Sequence, residues 1–190
     1  MEKSQQEWNE RWQEKSVDAD WQPDPWLQRI VPFLPRGSAL DVACGMGRNA
    51  VYLAEQGFAV TAVDLSNVAL DLLRREAQRR ELEIDIRQVD LEGEAQLPAG
   101  SFDLVIQFFF LHRPLLMPLL DKVRPGGFAV LRTFSRAGSA RFGAVPDAIS
   151  FAPGELFDLF SGWDLLVHEE GLEPSKKGGT LAGVVARRKE

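Results

Sequence analysis

The stretch Asp41-Val-Ala-Cys-Gly-Met-Gly-Arg-Asn49 decides the fold. It contains the end of a short apolar segment that starts at Ala39 and is typical of a buried strand, and it leads into a segment with helical periodicity over Arg48–Gln56. Gly45 and Gly47 allow a sharp turn between the two because neither carries a Cβ. This order predicts an open parallel sheet with a ligand site beyond the carboxyl end of its first strand.

Alternating strand and helix patterns extend from that turn along the rest of the chain. Strands are predicted at 39–43, 58–63, 84–89, 102–109, 128–134, 163–168 and 181–187, and helices at 48–56, 66–80, 115–123 and 154–160. Arg124-Pro-Gly-Gly127 is predicted to stop a helix and form a turn. Such alternation favours right-handed crossovers and a parallel sheet. The last two strands have no helix between them, which predicts an antiparallel last strand. The predicted class is therefore α/β, with a doubly wound, mostly parallel seven-stranded sheet and an antiparallel last strand.

Composition excludes several classes of protein. The 190 residues are 45% hydrophobic and 26% charged, as in a globular domain with a sizeable core. A net charge of -6 argues against a nucleic-acid partner. A single cysteine, Cys44, gives neither an internal disulfide nor a metal-ligand pair, so no metal is expected. No apolar run of about 18 residues is present, so we expect no membrane partner and a cytoplasmic location. A monomer and a homodimer both remain open.

The amino-terminal segment 1–38 is rich in tryptophan and differs from the regular pattern of 39–190. Trp8 and Trp12 are four residues apart, so a helix would place them on one face. The apolar face that the two rings form is expected to pack on another surface. The segment is predicted to be a helical cap on the core or a lid over a ligand, with residues 39–190 forming the ligand-binding domain.

Acidic residues stand at the ends of the second and third predicted strands. Asp64 ends the second strand, where a carboxylate can accept hydrogen bonds from both ribose hydroxyls. Asp90 ends the third strand and is placed to accept a hydrogen bond from an adenine amino group, or to cap a turn. Leu65 and Leu91 are placed to pack on the two faces of such a ring. A ligand containing adenosine is therefore indicated.

Asp41 distinguishes between two such ligands. The glycine spacing also satisfies the loose dinucleotide pattern, which keeps NAD as an alternative. A carboxylate just before the glycines repels a pyrophosphate but attracts a ligand with an ammonium and a sulfonium. This favours S-adenosylmethionine over NAD, although Asp41 capping the glycine turn stays a second interpretation.

Several motifs together resemble the class I S-adenosylmethionine-dependent methyltransferases. Their first motif is similar to Asp41–Gly47, their second-strand acid to Asp64, and the approach to their fourth strand to Leu97-Pro98 before Phe102-Asp103-Leu-Val105. Arg124-Pro-Gly-Gly127 resembles the turn before their fifth strand. The resemblance covers nearly the whole chain. It implies a Rossmann-like methyltransferase fold, with S-adenosylmethionine as cofactor and S-adenosylhomocysteine as product.

A narrower resemblance is to the tellurite-resistance type branch, with thiopurine methyltransferases further off. It rests on Arg48 and Asn49 after the glycines, on Trp8-Asn-Glu-Arg-Trp12, and on Gly154-Glu-Leu with Gly162-Trp163. The branch implies a small-molecule acceptor and an amino-terminal segment that closes over the cofactor. The sequence departs from that pattern at Gln107–Arg113, so the acceptor stays open.

The predicted site divides into cofactor and acceptor residues. The cofactor residues are predicted to be Trp12, Asp41, Gly45, Gly47, Arg48, Asn49, Asp64, Leu65, Asp90, Leu91 and Gln107. Arg48 has two interpretations, a surface ion pair or a contact to an anionic substrate or the cofactor carboxylate. His112 and Arg113 are weak candidates for acceptor chemistry, or residues that start a helix. Alternatives to a methyltransferase are an NAD-dependent oxidoreductase and a non-catalytic S-adenosylmethionine-binding module.

Overall fold

The computed structural model describes residues 4–15, 20–93 and 96–190. The chain divides into two compact units, residues 1–103 and 104–190. Residues 1–3 and 16–19 of the predicted segment 1–38 lie outside the described residues.

The first unit contains a helical segment followed by alternating strands and helices. Its elements are α1 (Gln5–Lys15), α2 (Pro25–Ile30), β1 (Ser38–Val42), α3 (Arg48–Glu55), β2 (Ala59–Asp64), α4 (Asn67–Arg79) and β3 (Ile84–Gln88). The strands lie in the order β3-β2-β1, and each pair is parallel. Asp41 is the register partner of Ala62, and Asp64 that of Gln88. The carboxyl ends of the three strands therefore meet at one edge, where the glycine turn begins.

Local sequence signals explain where these helices begin. Ser66 caps α4, because its Oγ accepts a hydrogen bond from the backbone N–H of Ala69 at 3.2 Å. Asp24 caps α2 in the same way through the N–H of Trp26 at 2.9 Å, and Pro25 occupies the first helical position. The apolar face of α4 includes the fully buried Leu70 and Leu73. Burial of that face and the Ser66 cap therefore stabilise α4, and the Asp24 cap stabilises the start of α2.

The second unit has longer strands and shorter helices. Its elements are β4 (Phe102–Phe108, whose first two residues belong to the first unit), α5 (Arg113–Leu120), β5 (Val123–Ser135), α6 (Ser139–Phe142), β6 (Ser150–Phe151), α7 (Glu155–Leu159), β7 (Asp164–Pro174) and β8 (Thr180–Arg187). The strand order is β4-β5-β8-β7, with β6 pairing β5. β8 is antiparallel to both β5 and β7. Leu104, Val105 and Ile106 of β4 are almost completely buried, as the continuous apolar run predicts.

The predicted fold class is confirmed, including the antiparallel last strand. The two-residue strand β6 was not predicted, and neither were α2 and α6. The turn predicted at Arg124-Pro-Gly-Gly127 is wrong, since these residues belong to β5. Gly126 N donates to Arg188 O at 2.9 Å, and Arg188 N donates to Gly127 O at 2.8 Å, so this segment pairs with the chain that follows β8. Gly126 has a left-handed φ of 75° within the strand, a conformation that glycine adopts without strain.

Within the described residues, no helix combines the length and the apolar character that a membrane crossing requires.

Candidate cofactor site

The glycine turn between β1 and α3 has an unusual backbone. Ala43, Gly45 and Gly47 have φ values of 56°, 57° and 82°, in the left-handed region. Two backbone hydrogen bonds help to fix the turn: Cys44 N donates to Val63 O at 3.0 Å, and Gly47 N donates to Cys44 O at 2.9 Å. A Cβ at Gly47 would lie 2.4 Å from a methyl carbon of Leu73, so that position has no room for a side chain. Sequence and packing together therefore require glycine there.

Asp41 is a buried acid beside this turn. It is 2% exposed, and its Oδ2 has no hydrogen-bond partner among the described residues. Burial raises the pKa of Asp41 to about 8, and the nearby charge of Asp64 adds to that effect. The backbone of Ala50 and the charge of Arg48 act in the opposite direction. A cation placed next to Asp41 would offset the cost of its ionisation.

Asp64, at the end of β2, is tied to the turn itself. Its Oδ2 accepts from Gly45 N at 2.8 Å, and its Oδ1 accepts from Ser66 N at 2.9 Å. Burial raises the pKa of Asp64, while these backbone bonds work against the rise. Each carboxylate oxygen has further acceptor capacity beyond one bond. Asp64 can therefore accept ligand hydroxyls while it keeps the turn in place.

Arg48 and Asn49 begin α3 and contact a residue that sequence reasoning missed. Asn49 is 5% exposed, and its Oδ1 accepts from Asp24 N at 2.9 Å. Arg48 Nη2 lies 4.0 Å from Asp24 Oδ2, and this carboxylate is 6% exposed. The ion pair is therefore made with a buried acid rather than with a surface one. The Asp24-Pro25 dipeptide is a helix-start signal that marks the α2 cap in the sequence, but it does not reveal the contact to α3.

α1 covers the turn with Trp12. A Cβ at Gly45 would lie 2.5 Å from Cζ2 of the Trp12 ring, so the indole packs directly on this glycine. Asn9 fixes α1 to the start of α4: its Nδ2 donates to Asn67 Oδ1 at 2.8 Å, and its Oδ1 accepts from Ser66 Oγ at 2.7 Å. Asn9 was not among the predicted site residues. Nothing in its sequence pattern indicates a bond to residues 57 and 58 positions away.

Three further predicted residues lie near the ends of β2 and β3. The carbonyl of Leu65 accepts from Gln88 Nε2 at 2.9 Å, and Leu91 is 4% exposed. Asp90 is exposed, and its Oδ1 accepts from the backbone of Glu92 and Gly93 at 3.1 Å each. Asp90 therefore caps a turn, which was the second interpretation of this residue. An adenine contact by Asp90 stays a prediction.

The remaining predicted residues belong to the second unit. Gln107 is 3% exposed, and its Nε2 lacks a hydrogen-bond partner within the described part of the chain. His112 is half-buried and immediately precedes α5. Arg113 donates to both carboxylate oxygens of Glu155 at 2.6 and 2.8 Å, and to Ser150 O at 3.0 Å. Its guanidinium is thus engaged in contacts within this unit, and a role in acceptor chemistry stays a prediction.

In the ranges that the structure describes, no group of three or more histidine, cysteine or acidic side chains is arranged to bind a metal.

Comparisons with known proteins agree with this geometry. Residues 39–127 match the family described as methyltransferase domain. A ubiquinone biosynthesis O-methyltransferase of Nitrosococcus oceani is 34% identical over 111 residues, which cover 56% of this chain and 47% of that protein. A probable S-adenosyl-L-methionine-dependent methyltransferase TehB of Haemophilus influenzae is 24% identical over 140 residues, covering 70% of this chain and 48% of the relative. The chain thus spans about half the length of these curated relatives.

The fold likeness extends further than the sequence likeness. The crystal structure of TehB from Haemophilus influenzae superposes with a TM-score of 0.75 at 20% identity, covering 88% of this chain and 63% of that one. The glycine turn, Asp41 and Asp64 all lie within the matched range 39–127.

Proposed function

By its domain and its fold, the chain belongs to the class I S-adenosylmethionine-dependent methyltransferases of the tellurite-resistance type, and on that premise we propose that it methylates a small-molecule acceptor. The observation that carries the cofactor assignment is the pair of acids Asp41 and Asp64 at the glycine turn. Asp41 is buried and Asp64 is half-buried, both have raised pKa values, and Oδ2 of Asp41 has no hydrogen-bond partner in the described residues. Such an arrangement favours a ligand that brings positive charge.

S-adenosylmethionine fits these residues in charge and in hydrogen bonding. Its ammonium would satisfy the unpartnered oxygen of Asp41, and its ribose hydroxyls would use the spare acceptor capacity of Asp64. A pyrophosphate, as in NAD, would instead place negative charge beside two acids whose ionisation burial already disfavours. The NAD-dependent alternative is therefore disfavoured by the same two residues that favour the sulfonium ligand.

The other predicted residues complete the proposed cofactor site. The turn at Gly45 and Gly47 would place its main chain beside the ligand, with the Trp12 ring over Gly45. Arg48 and Asn49 would provide the start of a helix suited to a carboxylate. We assign the remaining contacts to Leu65 and Leu91 on the adenine faces, Asp90 at its amino group, and Trp12 as a cover. The backbone contact of Gln107 stays a prediction. The segment 1–38 would thus act as a lid on the domain 39–190.

The chemistry that bound S-adenosylmethionine supplies is an activated methyl group that a nucleophile attacks in line with sulfur. The residues of this chain need only orient the reactants and exclude water, and alignment alone supplies roughly 7–11 kcal/mol. Asp41 and Asp64 would orient the cofactor from one side, and Trp12 would exclude water from the other. His112 and Arg113 remain weak acceptor-side candidates, since a soft anionic acceptor requires no general base.

The first test is ligand-induced stabilisation. S-adenosylhomocysteine should raise the melting temperature of the wild-type chain, whereas NAD should leave it unchanged. Asp71→Asn, an exposed change on α4, is a control that should respond like the wild type. Stabilisation by NAD and not by S-adenosylhomocysteine would contradict the proposal.

Activity needs a second test, because a binding module would give the same stabilisation. The full chain is incubated with S-adenosylmethionine and a panel of small thiols, phenols, amines and chalcogen oxyanions, and released S-adenosylhomocysteine is quantified. We expect release that depends on one acceptor class. Stabilisation without release for every class would favour the non-catalytic alternative.

A further inference from the structure

Asp24 is fixed in place on three sides. Its backbone N–H donates to Asn49 Oδ1 at 2.9 Å, and its Oδ1 accepts from Trp26 N at 2.9 Å. Its carbonyl accepts from Gln28 N at 3.1 Å. The residue is 4% exposed. These contacts leave the carboxylate little freedom, and its Oδ2 is the oxygen that faces Arg48.

Arg48 lies within the influence of two buried acids. Its Nη2 is 4.0 Å from Asp24 Oδ2, and its charge also acts on Asp41. Both acids are almost completely buried, whereas 35% of the Arg48 side chain is exposed. Among the described residues, Asp24 is the acid in ion-pair contact with the Arg48 guanidinium, so its charge holds Arg48 near this position.

The separation of 4.0 Å is longer than a hydrogen bond, so the ion pair leaves the guanidinium donors available to a ligand. A guanidinium presents five N–H donors in a planar fork that matches a carboxylate. Arg48 is also the first residue of the eight-residue helix α3, whose N-terminus favours an anion. The unpartnered oxygen of Asp41 indicates a cationic group at the same turn.

We infer that Asp24 is a positioning residue: it retains Arg48 for the carboxylate of the cofactor's methionine group, apart from the acid Asp41. The inference rests on the proposed function. It assigns the two charges of an amino-acid group to two separate protein charges, the ammonium to Asp41 and the carboxylate to Arg48. Asp24, 24 residues before Arg48 and outside the glycine motif, maintains that separation.

The alternative is that Asp24 merely caps α2. Asparagine caps helices as well as aspartate does, so Asp24→Asn retains the cap and removes the charge. Asp20→Asn is the matched control, since Asp20 is exposed in the same segment and its Oδ1 accepts only a local bond from Gln22 N at 2.9 Å in the described structure. Asp24→Ser provides a second uncharged cap should the asparagine variant not fold.

The experiment compares two ligands by calorimetry on the full chain. S-adenosylhomocysteine contains the amino-acid group, and 5′-methylthioadenosine has the same adenosine thioether without it. Asp24→Asn should weaken S-adenosylhomocysteine about tenfold, the scale of a lost charge-assisted contact. It should change 5′-methylthioadenosine affinity less than about twofold, and Asp20→Asn should change neither. An equal loss for both ligands, or no loss for either, would overturn the inference.

A double-variant measurement tests whether Asp24 acts through Arg48, which a purely structural role of Asp24 would not require. In an Arg48→Gln background, Asp24→Asn should cause no further loss of S-adenosylhomocysteine affinity, because the residue acts through Arg48. A full additional loss would overturn the inference and leave the proposed function intact. If the wild-type chain binds neither ligand, the proposed function itself fails and the inference with it.

Discussion

Asp41 and Glu76 are both nearly buried acids of the first unit, yet they have opposite charge preferences. Asp41 is 2% exposed and Glu76 is 6% exposed. Burial raises the pKa of Asp41 to about 8, whereas hydrogen bonds from Arg79 and Arg80 lower the pKa of Glu76 to about 2. Burial is the main cause at Asp41, whereas at Glu76 the hydrogen bonds from two guanidiniums within 2.8 Å outweigh it.

This contrast shows how a binding site differs from a structural ion cluster, which contains the counter-charges that the binding site lacks. The cluster at Glu76 contains its own cations, so it is complete within the fold. At the glycine turn the charge of Asp64 raises the pKa of Asp41 further, and the charge of Arg48 only partly compensates. A fold that tolerates this arrangement retains a preference for an external cation.

The largest expected effect follows from removing Asp64. Asp64→Ala should weaken S-adenosylhomocysteine binding by about 1–3 kcal/mol, because ribose hydrogen bonds and the bonds to Gly45 N and Ser66 N are lost. Isothermal titration calorimetry measures the affinity of each variant for S-adenosylhomocysteine. Asp64→Asn retains one acceptor oxygen and should lose less. Unchanged affinity in the alanine variant would remove the ribose assignment.

The next effect concerns pH and Asp41. Its pKa rises from 3.8 to about 8 on folding, so the folded chain binds more protons than the unfolded chain across that window. Stability of the ligand-free protein should therefore fall as pH rises from about 4 to about 8. Asp41→Asn removes the ionisation and should be more stable than wild type above pH 8, by about 2 kcal/mol.

Urea unfolding at pH 5.5, 7 and 8.5 checks the Asp41 effect. The stability difference between variant and wild type should grow with pH across these three conditions. Parallel curves would mean that Asp41 does not titrate in this range. The same variant should bind S-adenosylmethionine less tightly, because an amide carries no charge to attract the ammonium.

A smaller effect tests the completed cluster. The folded pKa of Glu76 is lowered from 4.5 to about 2, so its contribution is present above pH 4.5 and is lost as pH falls toward 2. Glu76→Gln should cost about 1 kcal/mol at pH 7, with cofactor affinity unchanged.

The control for Glu76 is the exposed pair on the same helix. Asp71 and Arg74 lie 2.7 Å apart, with about half of each side chain exposed. Asp71→Asn should change the free energy of unfolding by less than about 0.5 kcal/mol. If both variants had equal effects, the contrast between buried and exposed pairs would not hold.

Much of the fold was predictable because its signals are local. The cap at Ser66 and the apolar face of α4 are short-range patterns, and they predicted the ends of this helix to within one or two residues. The inclusion of Arg124–Gly127 in β5 was not predictable, since it depends on hydrogen bonds to Arg188, far along the chain. β6 is too short to give a periodic pattern.

The candidate site likewise contains residues with local sequence signals and residues whose contacts join distant segments. The residues of the glycine turn and the acids at strand ends are indicated by strand–turn–helix order alone. The contacts of Asn9 to Ser66 and of Asp24 to Asn49 connect segments that are 57 and 25 residues apart. Side chains of this kind carry no repeating signal, so only the folded chain shows them.

The indole of Trp12 against Gly45 gives this protein an internal optical reporter. Of the five tryptophans, Trp26 is buried in the core, and Trp163 packs edge-on against Phe160 with ring centroids 5.4 Å apart. Trp12 alone among these three lies on the glycine turn. With the other tryptophans replaced by phenylalanine, the fluorescence of a single ring would follow events at the turn in real time, without an added dye.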